Sequence, residues 1–132
     1  MMNAVAHRGP DDRGEYLSPE ISLGHTRLAI LDTSKRGKQP MFSPDKNVIS
    51  VFNGEIYNFK ELRNRYLNEY HFHSNSDAEV IPYLYEKFGI EFIHKLRGIF
   101  AIAIYDKRSK ILYLIRDRFG VKPLYYTFQK NT

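Results

Sequence analysis

The amino-acid sequence predicts an α+β domain whose sheet is mainly antiparallel. Strand-like segments come in clusters, and helix-like segments separate the clusters. The last cluster holds three strand-like segments with no helix between them, which disfavours a parallel β-α-β arrangement. The chain has 132 residues, of which 42% are hydrophobic, so it is long enough for one domain with a packed core.

The first half of the chain predicts two strands and a helix. Ile21–Asp32 carries apolar residues at alternating positions, a loop rich in Lys, Gly and Pro follows over 35–44, and Val48–Phe52 predicts the second strand. Asn53-Gly54, the pair most typical of a two-residue hairpin turn, comes next. The following residues show helical spacing, which predicts a helix over Phe59–Tyr70. We therefore expect Asn53-Gly54 to end the strand at an exposed position without forming a hairpin.

Helix-start signals precede both predicted helices. Asn58 and Glu61 match a capping box at the start of the first helix. Ser76 and Glu79 match a second capping box, and Gly89 marks the end of the helix that they begin.

The second half of the chain predicts one helix and three strands. Pro82 conflicts with the interior of the helix because it removes a backbone donor. Residues 90–96 can extend helically after that helix. Gly98–Tyr105 is almost wholly apolar and predicts a strand buried on both faces, with Ile111–Ile115 as its hairpin partner. Pro123–Phe128 predicts a last strand.

Composition excludes several classes of protein. The formal net charge is +5, but Lys and Arg are dispersed and their densest stretches, 35–38 and 107–110, predict solvated loops, so we do not expect nucleic-acid binding. No apolar run is long enough for a membrane span and the first residues do not resemble a signal peptide, so we expect a cytoplasmic protein. The sequence has no cysteine, which excludes disulfides, zinc-finger spacings and a cysteine nucleophile within these residues.

Three polar features suggest a ligand site. The Asn53 amide and the Gly54 N–H can cradle an oxygen that becomes negative during acyl transfer, although an ordinary turn also explains the pair. Arg27 lies in an otherwise apolar strand and needs an anion such as a carboxylate, unless it faces solvent. Asp77 can bind an ammonium group, although a helix start favours a carboxylate without any ligand. Together these groups suit glutamine, but the sequence alone does not show that they converge.

The histidines give weaker signals. His71 and His73 point the same way along an extended segment and can bind a metal, but no third ligand is near, so solvent-facing histidines are the simpler interpretation and no metal site is predicted. His7 and His25 are candidate bases without a partner nucleophile. The sequence has neither a G-x-S-x-G motif nor a G-x-x-x-x-G-K motif.

Most of the chain consists of stretches whose order is typical of one enzyme family. These stretches are HRGPDDRG (7–14), GHTRLAILD (24–32), QPM (39–41), FNGEIYNFKELR (52–63), SNSDAEVI (74–81), LRGIFAIAIYD (96–106) and RDRFGVKPLYY (116–126). They resemble the glutaminase domain of glutamine-hydrolysing asparagine synthetases, which are class II, N-terminal-nucleophile amidotransferases. The resemblance implies a sandwich of two antiparallel β-sheets between helical layers. It also implies that residues 1–132 form a single amidotransferase domain, truncated at both ends, without the ATP-pyrophosphatase synthetase domain.

The resemblance further implies a role for individual residues. Glutamine would be hydrolysed to glutamate and ammonia, which the full-length enzyme uses for ATP-dependent amidation of aspartate. Arg27 would hold the α-carboxylate of glutamine and Asp77 its α-ammonium group. Asn53 and Gly54 would form the oxyanion hole. The positions that match the family's glutamine pocket are Arg27, Ile30, Asn53, Gly54, Glu55 and Asp77.

The chain departs from this family at the nucleophile. The family's nucleophile is a cysteine on a strand before the HRGPD motif, and its own α-amino group acts as the base. Neither that strand nor any cysteine is present, so we expect that the chain as written does not release ammonia from glutamine at an enzymatic rate. The lost strand would also leave unpaired backbone at a sheet edge.

The expected partners are L-glutamine, a synthetase domain in the same chain and a second copy in a homodimer. We expect no cofactor in this domain, and ATP and Mg²⁺ only in the synthetase domain. Three alternatives stay open: an amidotransferase for a sugar or an antibiotic precursor, a non-catalytic module that binds glutamine or a partner, and a small nucleic-acid-binding domain.

Overall fold

A computed structural model describes residues 2–29, 32 and 34–129 of the chain. The strands are β1 (Asp12–Leu17), β2 (Ser22–Arg27), β3 (Met41–Phe42), β4 (Val48–Ile56), β5 (Gly98–Asp106) and β6 (Ile111–Arg116). The α-helices are α1 (Phe59–Tyr66) and α2 (Val80–Phe88), and short 3-10 helices span Met2–Arg8, Lys35–Gly37, Asp77–Glu79 and Gly89–Lys95. No helix in this part of the chain combines the length and the apolar character needed to cross a bilayer.

The strands form two antiparallel sheets, which confirms the predicted α+β class. β1 and β2 form a two-stranded sheet, and the other strands form a four-stranded sheet in the order β3-β4-β5-β6. The longest pairing joins β4 to β5 over their full lengths, from Val48 opposite Asp106 to Ile56 opposite Gly98. β4 is therefore the strand on which the positions of the other elements depend.

The two sheets pack face to face between helical layers. Leu23 from β2 packs against Ile49 and Tyr105 from the four-stranded sheet. The opposite face of the four-stranded sheet packs on α1 and α2 to form the main core. On the outer side of β2, the 3-10 helix Met2–Arg8 lies against Gly24, where a Cβ atom would come within 2.9 Å of the Met2 side chain. The layers thus follow the sandwich order that the resemblance implies.

Four strand predictions were wrong. β3 lies within residues 35–44, which were predicted to form a loop. β1 was not predicted, because its residues Asp12–Leu17 lack a clear apolar alternation. β2 ends at Arg27 instead of residue 32, since the Asp11 carboxylate accepts the N–H of Ala29 at 2.8 Å in place of a strand partner. Pro123–Phe128 forms no strand in the described structure; Tyr125 and Phe128 are each 90% exposed.

The predicted capping box of the first helix is also wrong. The Asn58 side chain makes no cap hydrogen bond. Its amide instead donates to the Lys95 carbonyl at 2.9 Å and accepts the Arg97 N–H at 3.0 Å, so it binds α1 to the segment before β5. The helix ends at Tyr66, four residues earlier than predicted.

The structure explains the conflict at Pro82. The 3-10 helix Asp77–Glu79, capped by Ser76, precedes the α-helix, which begins only at Val80. Pro82 therefore lies in the first turn of α2, where backbone N–H groups have no partner within the helix. Gly89 ends the helix, as predicted, with a φ of +60°.

Candidate functional site

Among the described residues, no strand covers one edge of the second half of β4. β3 pairs only with Ile49 and Ser50 of β4. Beyond Ser50, side chains occupy the position of a neighbouring strand. The buried Gln39 amide accepts the Phe52 N–H at 2.7 Å and donates to the Phe52 carbonyl at 3.0 Å. Asp77 accepts the Ile56 N–H at 2.8 Å.

Gly54 lies between these two contacts. Backbone groups of alternate strand residues point to the same edge, so the Gly54 N–H is directed to the side on which Gln39 and Asp77 bind. Phe100 is the residue opposite Gly54 on β5. Its N–H donates to the Asp117 carboxylate at 3.2 Å, and its carbonyl accepts the Asp117 N–H at 2.8 Å. Gly54 thus has no backbone partner at this point of β5, and no hydrogen bond of its N–H is found within the described ranges.

Asn53-Gly54 does not end the strand, which corrects the sequence prediction. β4 continues to Ile56, and Asn53 pairs with Ala101. Gly54 has a φ of +151°, and a Cβ atom there would collide with the carbonyl oxygen of Ile99. A glycine is therefore required for strand pairing itself. The turn-prone dipeptide marks a close approach of two strands.

Asn53 and Glu55 lie on the face of β4 opposite Phe52 and Ile56, because side chains alternate along a strand. Both are exposed. This is the face on which the two-stranded sheet packs at Ile49. Their predicted roles in the oxyanion hole and the glutamine pocket stay predictions. Ile30, the remaining predicted pocket residue, lies outside the described residues.

Arg27 is buried, with 8% of its surface exposed. Its guanidinium donates to the backbone carbonyls of Ser34, at 2.8 Å, and Asp32. Gly37 makes room for it, since a Cβ atom there would collide with Nη2. Within the described ranges no carboxylate forms an ion pair with Arg27. The buried cation is bound only by neutral groups and can still accept an anion.

Asp77 is the matching buried anion, with 5% of its surface exposed. Burial raises the pKa of Asp77, and this effect exceeds the opposite effect of the backbone N–H groups of Ile56 and Ala78. No Lys, Arg or His in the part of the chain that the structure describes forms an ion pair with it. An ammonium group placed beside Asp77 would therefore form an ion pair that no described residue supplies.

A direct contact joins the loops that hold Arg27 and Asp77. The Asp32 carboxylate accepts the Ser34 N–H and the Asn75 N–H, both at 2.8 Å. The Ser34 side chain lowers the pKa of Asp32 most, followed by the Asn75 N–H, with a smaller effect from Arg27. A shallow cleft of about 290 Å³ opens between the loops, and it is lined by Asp32, Ser34, Arg36, Phe72, His73, Ser74 and Asn75. Asp32 thus connects the loop that binds Arg27 to the loop that leads to Asp77, while Arg27, Asp77 and Gly54 do not line this cleft.

The histidines differ in position. His25 lies on the same face of β2 as Arg27, and its Nε2 is 3.1 Å from the Phe52 carbonyl. Burial lowers the pKa of His25, which favours the neutral ring, with Nε2–H as donor to that carbonyl. His71 and His73 have ring centroids 5.8 Å apart. Among the residues with described positions, no group of three or more His, Cys, Asp or Glu side chains is arranged to hold a metal ion.

Comparison with known proteins decides the family. The sequence profile of the family described as a glutamine amidotransferase domain matches residues 1–132. The chain is a glutamine amidotransferase domain. It is 44% identical to asparagine synthetase [glutamine-hydrolyzing] 2 of Bacillus subtilis (strain 168) over 131 residues, which are 99% of this chain and 17% of that protein.

Other relatives of the amidotransferase domain have similar coverage. It is 42% identical to asparagine synthetase B [glutamine-hydrolyzing] of Escherichia coli (strain K12) over 127 residues, 96% of this chain and 23% of that protein. It is 40% identical to amidase chry2 of Gibberella zeae over 132 residues, 98% of this chain and 20% of that protein. The domain therefore spans about a fifth of the length of these curated relatives.

Sequence reasoning missed two residues of this amidotransferase domain. The Gln39 side chain binds the backbone of Phe52 where a neighbouring strand would bind it. In the sequence, its position in the QPM stretch is the one feature that draws attention to Gln39. Arg63, on α1, donates to the Ser74 and Ser76 carbonyls at 3.0 and 2.8 Å. It reads as an ordinary polar helix position, since its partners are distant in sequence.

Proposed function

We propose that the amidotransferase domain binds L-glutamine at the edge of β4 and forms the substrate-binding part of a glutaminase site. The observation that carries this proposal is the pair Arg27 and Asp77. Each is a buried charge without an ion-pair partner in the described ranges, and the two charges are opposite. A buried charge without a partner is costly, and an α-amino acid supplies one partner to each.

The amide end of glutamine would lie at Asn53-Gly54. During hydrolysis the amide oxygen becomes negative, and a backbone N–H held in a rigid strand is a preorganised donor for it. Gln39 and Asp77 fix the backbone on either side of Gly54 through their contacts to Phe52 and Ile56. Glu55 and the backbone around Ile30 would complete the pocket, as the resemblance implies.

Hydrolysis needs a nucleophile that the chain does not hold. The 132 residues contain no cysteine, so the proposed role of these residues is to bind and orient glutamine and to stabilise the oxyanion. By analogy with the relatives named as asparagine synthetases, ammonia would be used in ATP-dependent amidation of aspartate. ATP and Mg²⁺ would then bind outside these residues. The absent cysteine equally supports a second candidate, a module that holds glutamine without hydrolysing it.

Calorimetry with two ligands tests the proposal. L-Glutamine carries both charges, whereas 4-aminobutanamide is the same molecule without the α-carboxylate. Arg27→Ala should lower the affinity for glutamine by at least about 30-fold, because it removes one partner of a buried charge pair. The same variant should leave the affinity for 4-aminobutanamide within about 2-fold, because that ligand has no carboxylate to lose.

Circular dichroism of the variant and of the wild-type protein checks that both are folded. A folded wild-type protein that gives no heat with glutamine contradicts the proposal. So does an equal loss of affinity for the two ligands in Arg27→Ala. Both candidates predict that the pure protein releases no ammonia from glutamine at an enzymatic rate, so that addition of glutamine gives only the heat of binding. Ammonia release at an enzymatic rate contradicts both.

A further inference from the structure

The Arg63 guanidinium lies against the loop that leads to Asp77. Its Nη1 donates to the Ser74 carbonyl at 3.0 Å and its Nη2 to the Ser76 carbonyl at 2.8 Å. Its side chain is only 15% exposed, and Cζ lies 4.1 Å from the centroid of the Phe72 ring. The planar guanidinium thus binds the carbonyls of two of the three residues that precede Asp77.

Glu79 holds the same loop from the other side. Its carboxylate accepts the backbone N–H groups of His73 and Ser74, both at 2.8 Å, and the Ser74 hydroxyl at 2.5 Å. It also lies 3.7 Å from Nη2 of Arg63. The positive charge of Arg63 is therefore balanced locally, so that it does not repel a cation bound near Asp77.

Side chains, and not a helix or a strand, hold this loop in place. Residues 71–76 belong to neither a helix nor a strand, and the backbone groups of 73–76 bind side chains: Arg63, Glu79, Asp32 and the Ser74 hydroxyl. Without a ladder of backbone hydrogen bonds, the position of Asp77 depends on these contacts. Arg63 contributes two of them and stacks on Phe72 as well.

We propose that Arg63 is a positioning residue for the ammonium end of the ligand: it fixes the Ser74–Asp77 loop so that the Asp77 carboxylate meets the α-ammonium group. This inference rests on the proposed function, because it assigns Arg63 to the same glutamine site. Arg63 itself does not contact the ligand. Its effect is passed on by the Ser74 and Ser76 carbonyls.

The variant Arg63→Lys tests this role with mild disturbance. Lysine keeps the charge but has no planar fork to hold two carbonyls and stack on an aromatic ring. The matched control is Arg65→Lys on the same helix, where the side chain is 66% exposed, lies 4.0 Å from Glu61 and has Cζ 5.2 Å from the centroid of the Tyr66 ring. The ligands are L-glutamine and glutaramate, which is glutamine without the α-ammonium group.

The measured quantity is the ratio of the affinities for glutamine and glutaramate. In Arg63→Lys this ratio should fall at least about 10-fold, through loss of glutamine affinity alone. In Arg65→Lys it should equal that of the wild-type protein. A ratio in Arg63→Lys within about 2-fold of the wild-type ratio overturns the inference, and so does a parallel loss of both affinities.

Amide hydrogen exchange gives a second readout that needs no ligand. Arg63→Lys should speed exchange at Ser74 and Ile56, whose N–H groups are bound by Glu79 and Asp77, and leave Gly120 in the distant 117–122 turn unchanged. Faster exchange at all amides overturns the inference, and so does an unchanged exchange rate at Ser74 and Ile56. If the folded wild-type protein binds neither ligand, the proposed function fails, and the exchange pattern alone decides whether Arg63 positions the loop.

Discussion

Two buried carboxylates in this domain, Asp77 and Asp117, have opposite surroundings. Each exposes 5% of its surface. Asp77 accepts one hydrogen bond from outside its own turn, that of Ile56, and burial raises its pKa. The pKa of Asp117 is lowered to about 2, mainly by the backbone N–H groups that it accepts. Those donors lie 3.0 to 3.2 Å away and belong to Phe100, Phe119, Val121 and Lys122.

The comparison shows how to separate a structural carboxylate from one that awaits a ligand. Desolvation is the largest influence on the pKa of Asp77, whereas at Asp117 the hydrogen bonds from backbone N–H groups, that of Lys122 first, outweigh desolvation. Asp117 joins the 117–122 turn to β5, and its requirement for hydrogen bonds is met. Asp77 has fewer donors, and it binds the same edge of β4 to which the Gly54 N–H is directed. The number of donors and the cost of desolvation together distinguish the two regions.

The largest expected effect follows from removing the charge of Asp77. Asp77→Asn should weaken glutamine binding by about 100-fold, since the α-ammonium group loses the carboxylate proposed to bind it. The free energy of unfolding should fall by less than about 0.5 kcal/mol, because the asparagine oxygen still accepts the Ile56 N–H and the cost of a buried charge disappears. Calorimetry and urea denaturation measure the two quantities. Glutaramate is the control ligand, and its affinity should not change.

The corresponding change at Asp117 should have the reverse outcome. Asp117→Asn removes an acceptor for four backbone N–H groups, so the Tm should fall by several degrees while glutamine affinity stays that of the wild-type protein. The pKa of Asp117 is lowered from an ordinary 3.8 to about 2, so its contribution to stability is present above pH 3.8 and is lost as pH falls through about 2.

Urea denaturation at a series of pH values from neutral to strongly acidic measures this contribution. The stability difference between the wild-type protein and Asp117→Asn should shrink in the acid range. A constant difference across that range would show that the carboxylate is not the source of the stabilisation. A loss of glutamine affinity in Asp117→Asn would remove the distinction between the two regions.

The sequence predicted most of the long strands and the helices, but not the short strands and the contacts that connect them. Apolar runs located β4 and β5, which bury side chains in the core, and β6 was located as the hairpin partner of β5. Sequence reasoning missed β1 and the two-residue β3, whose pairing depends on backbone contacts that no side-chain pattern encodes. It also assigned a strand to Pro123–Phe128, where alternation of aromatic residues is not accompanied by a strand partner in the described structure.

The candidate site was predicted through charges that are unusual for their position. Arg27 stands out in an apolar strand and Asp77 in a helix start, and the structure buries both without an ion-pair partner in the part of the chain it describes. Gln39 and Arg63 could not be found in this way, since each acts on backbone groups of residues that are distant in sequence. Such contacts depend on the three-dimensional path of the loops and leave no local signal.

The smallest effect concerns the pH dependence of ligand binding. The pKa of Asp77 is higher in the folded protein than its ordinary 3.8. Without ligand, the contribution of Asp77 to stability is therefore fully present below pH 3.8 and is lost as pH rises through the pKa of the folded protein. An α-ammonium group needs the ionised carboxylate, so binding has the opposite dependence. Glutamine affinity should be constant above the pKa of Asp77 and should fall by up to about tenfold per pH unit below it.

Calorimetry at several pH values, in two buffers of different ionisation enthalpy, measures both the affinity and the protons released on binding. Near the Asp77 pKa, glutamine should displace a proton, whereas glutaramate should not. Asp77→Asn should abolish this release, while Asp117→Asn should preserve it, because Asp117 stays ionised throughout this range. Proton release that persists in Asp77→Asn would place the titrating group elsewhere. The smaller number of donors at Asp77 would then have no functional meaning, and the contrast between the two carboxylates would reduce to a difference in folding alone.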